Sequence, residues 1–401
     1  MRFVRHHDDM LLGARPPRDF SEVELMAEQA QPRRYRPSVV NIDSSALEHN
    51  VDEIKKLVKP SKLAVAVKAN AYGHGIVPIS KRLQAMGVDM LCVATAEEAL
   101  LLRRNEITAP IFLLCEPPRD AIGPCYLNDI TFCVYTIDTI NTIAAFANKD
   151  RPAHVHLQVD TGMNRVGVHP NEALTFARHI SKHDSLNFEG VFTHFATADE
   201  PTHPGTSLQL EKFERVLDDI EMAGLTPTLI HAANSAAALR IPSSRFSMVR
   251  MGISVYGVYP EPRCADIIDL RLVLSLTTSI MFLKTIQPGE TVSYGARFEA
   301  ERETRIATLP IGYGDGVPMN LGLSGGSVII FGVRCPIVGR VTMDQMMVDV
   351  TNLSVGIGDK VTLLGTEGNV TISPTEWGDL TGTISYEILC RLGERLDRVY
   401  D

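Results

Sequence analysis

Eight short apolar segments recur along the first two thirds of this chain, and helical or loop-like stretches separate them. Their length, and the Gly, Pro, Asn and Asp residues between them, make them strand candidates. The candidates are residues 62–69, 90–95, 111–114, 131–136, 154–160, 187–195, 228–234 and 248–253. Eight such units within about 200 residues predict an α/β fold, a (β/α)8 barrel of the TIM type. An open nucleotide-binding sheet is disfavoured because no Gly-x-Gly-x-x-Gly follows the first strand.

The pattern changes near residue 260. Beyond it, Pro-Gly and Gly-Gly turns separate strand-like runs at 272–286, 304–309, 327–331, 345–350 and 360–364, with little helical periodicity. We therefore expect residues 37–260 to form the barrel and residues 261–401 to form a mostly β C-terminal domain. Residues 1–36 are polar and are expected to be an extension of uncertain order. A strand at 38–43, a candidate to pack with the second domain, precedes a predicted helix at 46–59.

Composition excludes several classes of protein. Of 401 residues, 45% are hydrophobic and 22% charged, which is ordinary for a globular protein. The net charge of −9 and the lack of a dense Lys/Arg face argue against a nucleic-acid partner. No apolar stretch approaches a signal peptide or a membrane span. Seven scattered cysteines without a Cys-x-x-Cys pair indicate neither a metal site nor a disulfide framework, so we predict a cytoplasmic protein.

The end of the first barrel strand carries the most specific motif. Residues 68–75 read Lys-Ala-Asn-Ala-Tyr-Gly-His-Gly and follow the apolar run 63–67. A lysine held at the mouth of a dry strand can lose its proton and form a Schiff base with an aldehyde. Pyridoxal 5'-phosphate (PLP) is the aldehyde cofactor that uses such lysines, and Tyr72 can donate to its phosphate. For Lys68 alone, a solvated residue that caps a barrel strand is the competing interpretation.

Other strand ends carry polar residues too, and barrel active sites lie at that face. These residues include Asp160, Arg165, His194, His231, Asn234, Ser235, Arg250, Gly252 and Ile253. The Ser235 hydroxyl and the main-chain N–H groups of Gly252 and Ile253 predict a phosphate cradle, although Ser235 can also cap a helix. Arg250 opposite a pyridine nitrogen would keep that nitrogen unprotonated and the α-carbanion short-lived. The alternative is that Arg250 forms an ion pair with an acidic side chain of the protein outside the site.

These segments resemble those of alanine racemases, together with four further motifs at 292–296, 311–316, 341–345 and 385–387. The resemblance extends from about residue 39 to the C-terminus. The resemblance implies a PLP-dependent isomerase acting on alanine, a homodimer with shared active sites, and D-alanine supply for peptidoglycan. Lys68 and Tyr294, the latter from the partner subunit, are the implied catalytic bases. The implied cofactor-binding residues are Lys68, Tyr72, Arg165, His194, Asn234, Ser235, Arg250, Gly252, Ile253 and Tyr386. Arg165 and, from the partner subunit, the main chain of Met343 are implied to bind the substrate carboxylate, and Tyr313 and Asp344 to line the entrance.

The resemblance also implies a two-base racemisation. Tyr294 removes the α-proton of the L-enantiomer on one face while Lys68 delivers a proton on the other, and the reverse reaction exchanges these roles. Tyr294 needs cationic neighbours to act as a phenolate near neutral pH, and His194 with Arg250 is expected to provide them.

The chain departs from the family pattern at Gln158, where many relatives have a carbamylated lysine that orients the counterpart of Arg165. Glutamine cannot be carbamylated. Its amide oxygen remains a possible acceptor for Arg165, so we predict weaker positioning of that guanidinium and an altered substrate range. Asn164 is a lesser departure that the sequence does not interpret.

Three other functions compete with an alanine racemase. A broad-specificity amino-acid racemase of the same fold stays open, because the sequence does not place the pocket walls. A decarboxylase of the same architecture is disfavoured by Arg250, since relatives of that kind place an acid at the pyridine nitrogen. A non-catalytic PLP-binding protein is disfavoured by the β domain with Tyr294, since such proteins are typically the barrel alone.

Overall fold

The computed structural model describes residues 35–401, so the extension predicted for residues 1–36 lies almost entirely outside the described residues. The first strands of the described chain are β1 (Val39–Ile42), β2 (Lys62–Ala66), β3 (Met90–Val93), β4 (Ile111–Leu113), β5 (Ile130–Val134), β6 (Ala153–Gln158), β7 (Leu186–Phe192), β8 (Leu229–His231) and β9 (Met248–Met251). Strands β2 to β9 form one parallel sheet in the order β8-β7-β6-β5-β4-β3-β2-β9. Main-chain hydrogen bonds from Ser247 to Ile230 (3.2 Å) and from Arg250 to Ala233 (3.0 Å) join its two end strands. The sheet therefore curls into the predicted barrel.

Helices cover the outside of this barrel. They are α1 (Ser44–Val58), α2 (Ile76–Ala85), α3 (Ala96–Arg104), α4 (Arg119–Leu127), α5 (Ile137–Phe146), α6 (Ala173–Ile180), α7 (Gly205–Met222) and α8 (Ser235–Arg240). Their ends follow local chemistry: the Thr95 hydroxyl and the Glu98 carboxylate form a capping box at the start of α3. The strands are buried on both faces, which is why they read as continuous apolar runs. Within residues 35–401, none of the helices combines the length and apolarity that crossing a bilayer requires.

The rest of the chain is mostly β. Its strands are β10 (Leu274–Ser279), β11 (Phe282–Ile286), β12 (Thr291–Val292), β13 (Phe298–Glu299), β14 (Thr304–Leu309), β15 (Ser327–Ile330), β16 (Val333–Pro336), β17 (Met346–Asp349), β18 (Lys360–Glu367), β19 (Val370–Ile372) and β20 (Asp397–Tyr400). One sheet has the order β16-β15-β18-β10-β1-β20, with β19 paired to β18, and a second has the order β11-β14-β17. Strand β1 lies between β10 and β20, since Val39 pairs with both Thr277 and Asp397. A mostly β domain after the barrel is therefore confirmed.

Three details of the second half differ from the sequence expectation. The single run at 272–286 is two strands, β10 and β11, which belong to different sheets. Two helices, α9 (Pro374–Thr381) and α10 (Ser385–Arg391), occupy a region that was expected to hold little helix. They escape periodicity analysis because each spans only about two turns. Tyr386 consequently lies on helix α10.

Candidate active site

A left-handed turn places Lys68 and Tyr72 at the end of strand β2. The four residues 69–72 all have positive φ angles, of 52°, 55°, 52° and 52°. L-amino acids rarely adopt this conformation, because the side-chain Cβ crowds the carbonyl oxygen. Polar contacts hold the turn: the Ala69 N–H donates to the Glu98 carboxylate at 2.7 Å, and the Asn70 side chain accepts from the Ile76 N–H at 2.8 Å. Backbone strain of this kind concentrates at ligand clamps.

Next to this turn, hydrogen-bond donors from four parts of the chain converge. The Gly252 N–H donates to the Ser235 hydroxyl at 2.9 Å, which joins the ends of β8 and β9. The rings of Tyr72 and Tyr386 are 6.0 Å apart. A Cβ atom on Gly252 would lie 2.6 Å from the Tyr72 hydroxyl, so the absence of a side chain there creates the space. Ile253, buried beside Gly252, begins a 3-10 turn.

This cradle fits an anionic group such as a phosphate. Tyrosine hydroxyls and the N–H groups that open a short helical turn are donors for phosphate oxygens. Burial raises the pKa of Tyr72 well above its ordinary value, so its hydroxyl stays protonated and available to donate. Asn234 has a structural role as well, because its side chain caps α8 by accepting from the Ala237 N–H at 3.1 Å.

Arg250 lies inside the barrel and is 6% exposed. Its guanidinium donates to the carbonyl oxygens of Thr193 (2.7 Å), His231 (2.9 Å) and Ala232 (3.0 Å). It also contacts two imidazoles, at Nδ1 of His231 (2.8 Å) and Nδ1 of His194 (3.2 Å). Burial lowers the pKa of Arg250 to about 10, so the group remains a cation near neutral pH. The competing interpretation, a direct ion pair with an outer acid, is not what the described residues 35–401 show.

Three cationic side chains act electrostatically on His194. Burial, followed by the charges of Arg250, Arg165 and Lys68, lowers the pKa of His194 to about 3. Four of the predicted site residues therefore lie within electrostatic reach of one another. His194 is neutral near pH 7, and because its Nδ1 accepts from Arg250, its single proton lies on Nε2.

The hydrogen bond that the Gln158 amide oxygen could accept from Arg165 is not made. The Gln158 amide oxygen accepts from the Cys133 thiol at 3.3 Å, and its amide nitrogen donates to the Val166 carbonyl at 3.3 Å. Arg165 is exposed and forms no side-chain hydrogen bond within the described part of the chain. Asn164 gains an explanation, since its φ of 54° is one that asparagine tolerates better than most residues.

The remaining predicted residues form a separate, exposed group on the β domain. Tyr294 is 74% exposed, Met343 52% and Tyr313 42%. The Gly314 N–H donates to the Met343 carbonyl at 2.9 Å, so the loops that carry Tyr313 and Met343 are joined. Asp344 accepts from Arg395 at 2.6 Å. Residues 35–401 supply no hydrogen-bond partner for the Tyr294 hydroxyl.

Sequence reasoning gave no role to three residues that support Arg250. The sequence pattern places His231 at a strand end and indicates no function for His156 or Glu189. His156 Nδ1 lies 2.9 Å from His231 Nε2, and His156 Nε2 lies 3.1 Å from the Glu189 carboxylate. One signal was available: His154, His156 and Gln158 alternate along β6, which puts all three on one face of the strand.

Profiles of two domain families match the chain. The alanine racemase N-terminal domain matches residues 42–260, and the alanine racemase C-terminal domain matches residues 273–400. Among relatives, the alanine racemase of Symbiobacterium thermophilum is 40% identical over 367 residues, covering 91% of this chain and 97% of that protein. That of Methanococcus maripaludis is 39% identical over 369 residues, covering 91% and 98%.

Solved structures agree with these sequence matches. The alanine racemase of Clostridium difficile 630 superposes with a TM-score of 0.87 at 36% identity, covering 92% of this chain and 97% of that one. The Bacillus anthracis alanine racemase with bound L-Ala-P gives a TM-score of 0.84 at 36% identity, covering 92% and 96%. The barrel and the β domain thus agree over nine tenths of the chain, and this protein belongs to the alanine racemase family of isomerases.

Proposed function

We propose that this chain binds PLP through Lys68 and interconverts L- and D-alanine by a two-base mechanism, in active sites that two subunits share. The observation that carries the proposal is the placement of Lys68, which is half-buried directly before the strained turn and lies, like Arg250, within electrostatic reach of His194. The roles of the individual residues are carried over from the family because the motifs match.

The cradle residues Tyr72, Ser235, Gly252 and Tyr386 would hold the phosphate of PLP, and Arg250 would face its pyridine nitrogen. PLP, when bound, withdraws electron density from the amino acid and so acidifies its α-proton. Arg250 can only donate hydrogen bonds. Placed opposite the ring nitrogen, it would make protonation of that nitrogen unfavourable.

Two groups would move the proton. Lys68 holds or releases it on one face of the substrate Cα, and Tyr294 of a second subunit does so on the other. His194 supports the tyrosine, since its Nε2–H points away from Arg250 and can donate to a phenolate oxygen. Arg165 and the Met343 main chain would bind the substrate carboxylate.

Exposure of the β-domain group supports a homodimer. A tyrosine that is 74% exposed has no dry environment of its own in a single chain. Tyr294, Tyr313 and Met343 together present apolar and aromatic surface next to a loop in which Ser293 donates to the Arg340 carbonyl at 2.7 Å. Such a surface is suited to cover the mouth of a neighbouring barrel.

The proposal is tested by incubating the purified protein with PLP, reducing it with borohydride and mapping the pyridoxyl-labelled peptide. We expect the label on Lys68, and we expect conversion of L-alanine to D-alanine in a chiral assay. Lys68→Arg should lose both, whereas Lys62→Arg, at the exposed start of the same strand, should keep both. A label elsewhere with activity intact would refute the role of Lys68.

A broad-specificity racemase is the second candidate, and one observation favours it. Because Gln158 contacts Cys133 and not Arg165, the guanidinium that would bind the substrate carboxylate is less restrained. Assaying a panel of L-amino acids separates the two functions: alanine alone as a substrate supports the first, and comparable rates with larger amino acids support the second.

A further inference from the structure

A chain of hydrogen bonds crosses the barrel interior behind Arg250. It runs from the Arg250 guanidinium to His231 (2.8 Å), from His231 to His156 (2.9 Å), and from His156 to the Glu189 carboxylate (3.1 Å). Both imidazoles are fully buried, and Glu189 is 21% exposed. The series joins strands β9, β8, β6 and β7, and its far end is the only carboxylate that it contains.

The two ends of this chain together determine where its protons lie, because the Arg250 guanidinium can only donate and the Glu189 carboxylate can only accept. A guanidinium has no acceptor, so Nδ1 of His231 must accept from Arg250 and the proton of that ring must lie on Nε2. His231 then donates to Nδ1 of His156, whose own proton must lie on Nε2 and point to Glu189. Burial lowers the pKa of both histidines, so each is neutral and carries a single ring proton.

An irregularity in strand β7 places Glu189 next to His156. In the register between β6 and β7, Val155 pairs with Phe188 but His156 pairs with Gly190, so Glu189 is an extra residue in a β-bulge. Bulges redirect a side chain and are frequent beside active sites. Gly190 completes the arrangement, because a Cβ there would lie 2.7 Å from the His156 ring.

Phenylalanine rings flank the two imidazoles. Within residues 35–401, the imidazoles have no side-chain hydrogen-bond partners besides each other, Arg250 and Glu189. The Phe192 ring stacks on His231 with centroids 4.8 Å apart and 4° between the planes. Phe112 contacts both histidine rings, at 4.6 Å from His156 and 5.7 Å from His231. Buried polar groups need hydrogen-bond partners, and among the described residues 35–401 the acceptor that ends the chain is the Glu189 carboxylate.

We propose that Glu189 is a positioning residue for the racemase reaction: through His156 and His231 it fixes the imidazole tautomers that hold Arg250 toward the cofactor ring. Glu189 acts by accepting a hydrogen bond from inside the barrel and touches neither substrate nor cofactor. The proposal deepens the proposed function, because it concerns the residue assigned to the pyridine nitrogen, but the tautomers themselves exist in the protein without PLP.

Two substitutions of Glu189 distinguish its role as a hydrogen-bond acceptor from the effect of its negative charge. Glu189→Gln keeps an oxygen that can accept from His156, and Glu189→Leu removes it. His154→Gln is the control, because His154 contacts the other oxygen of the same carboxylate at 3.2 Å but lies outside the chain. The tautomers are read by ¹⁵N NMR of histidine-labelled protein, first without PLP and then with it, and activity is read as kcat and KM for L-alanine.

In the wild type we expect His156 and His231 each to carry one proton on Nε2, with or without PLP. In Glu189→Leu the Nε2–H of His156 loses its acceptor, and a buried donor without a partner is costly. We therefore expect mixed or altered tautomers at both rings and a kcat lower by roughly tenfold to a hundredfold, the range typical of lost supporting contacts, while KM changes little. Glu189→Gln and His154→Gln should retain the wild-type tautomers and stay within about threefold of its kcat.

Several results would overturn the proposal. The wild-type NMR spectrum alone does so if either ring proton lies on Nδ1 or if either ring is an imidazolium, even where Glu189→Leu fails to fold. Unchanged tautomers and kcat in Glu189→Leu, or equal losses in Glu189→Gln and Glu189→Leu, would also exclude it. If the expected tautomers are found in a protein that does not racemise alanine, the positioning chain stands and the proposed function fails.

Discussion

The Cys133 thiol donates to the Gln158 amide oxygen at 3.3 Å, on the interior face where β5 and β6 run side by side. Gln158 is 5% exposed and its second hydrogen bond goes to a main-chain carbonyl. The amide is therefore part of the barrel interior, and Arg165 on the following loop must be positioned by other means. The effects of substituting Gln158 can therefore be predicted from its two hydrogen bonds.

Gln158→Lys should be destabilising, because it buries an amine where the wild type has a neutral amide. We expect the free energy of unfolding to fall by roughly 2 kcal/mol without bicarbonate. Bicarbonate should restore part of this loss and lower KM for alanine, since carbamylation turns the amine into an anion that can pair with Arg165. Denaturation midpoints and KM measured with and without bicarbonate test this. Gln158→Met, which has no amine, should be insensitive to bicarbonate; a passive position would leave Gln158→Lys insensitive too.

Gly252→Ala should weaken PLP binding. The new Cβ would lie 2.6 Å from the Tyr72 hydroxyl, and the rigid tyrosine ring can make room only by leaving the cradle. We expect the Kd for PLP, titrated by absorbance on the apoprotein, to rise about tenfold or more, equivalent to ~1.4 kcal/mol. Gly356→Ala is the matched control, because its Cβ would meet nothing closer than 3.9 Å. Equal affinities in the two variants would contradict a phosphate site at Gly252.

Tyr294→Phe should abolish exchange of the α-proton of L-alanine with solvent deuterium while PLP stays bound. The reason is that the phenol oxygen is the group proposed to take this proton, whereas the cradle residues are untouched. Exchange is followed by NMR in D2O, and cofactor retention by absorbance. Tyr35→Phe, at a tyrosine that is 88% exposed, serves as control. Retained exchange from L-alanine in Tyr294→Phe would exclude the assigned role.

Stability should fall in mild acid because of His74. This ring is fully buried and contacts the carbonyls of Ala71 (3.0 Å) and Tyr72 (2.9 Å), and burial lowers its pKa to about 4. In the unfolded chain, histidine titrates near ~6.5. Between these values the unfolded state binds a proton that the folded state does not, so stability present above pH 6.5 is lost as the pH falls toward 4.

The comparison of wild type with His74→Gln isolates this effect from the other buried histidines. We expect the stability advantage of the wild type, measured by urea unfolding, to shrink by roughly 3 kcal/mol between pH 7 and pH 4.5. An advantage that stays constant across this range would show that His74 does not titrate as described.

The sequence was sufficient to predict the barrel and the convergence of its strand ends. Buried parallel strands read as separate apolar runs, so their carboxyl ends, and with them Lys68, His194 and Arg250, could be placed on one face. The expected strand at 62–69 nevertheless ends at Ala66, because the chain then enters the left-handed turn at residues 69–72. Positive φ angles at alanine depend on tertiary contacts such as that from Glu98, and no local propensity indicates them.

The chain behind Arg250 could not be predicted for a different reason. A β-bulge shifts the register by one residue, and such a shift leaves no trace in composition or periodicity. Gly190 is a local sign of the bulge, since a glycine inside a strand often marks a bulge or a close approach, whereas the alternation along β6 indicates only the histidines. The exposure of Tyr294, in turn, follows from the arrangement of the β domain and not from the residues that flank it.

The insertion of β1 between β10 and β20 has a consequence for how this protein is synthesised. Residues 62–251 supply every strand of the barrel, so the barrel can assemble while translation continues. Strand β1 leaves the ribosome first, yet Val39 must wait for Thr277 and then for Asp397 before both of its edges are paired. Until then it is an open strand edge that invites misassociation, and its protection by nascent-chain chaperones would matter most late in translation.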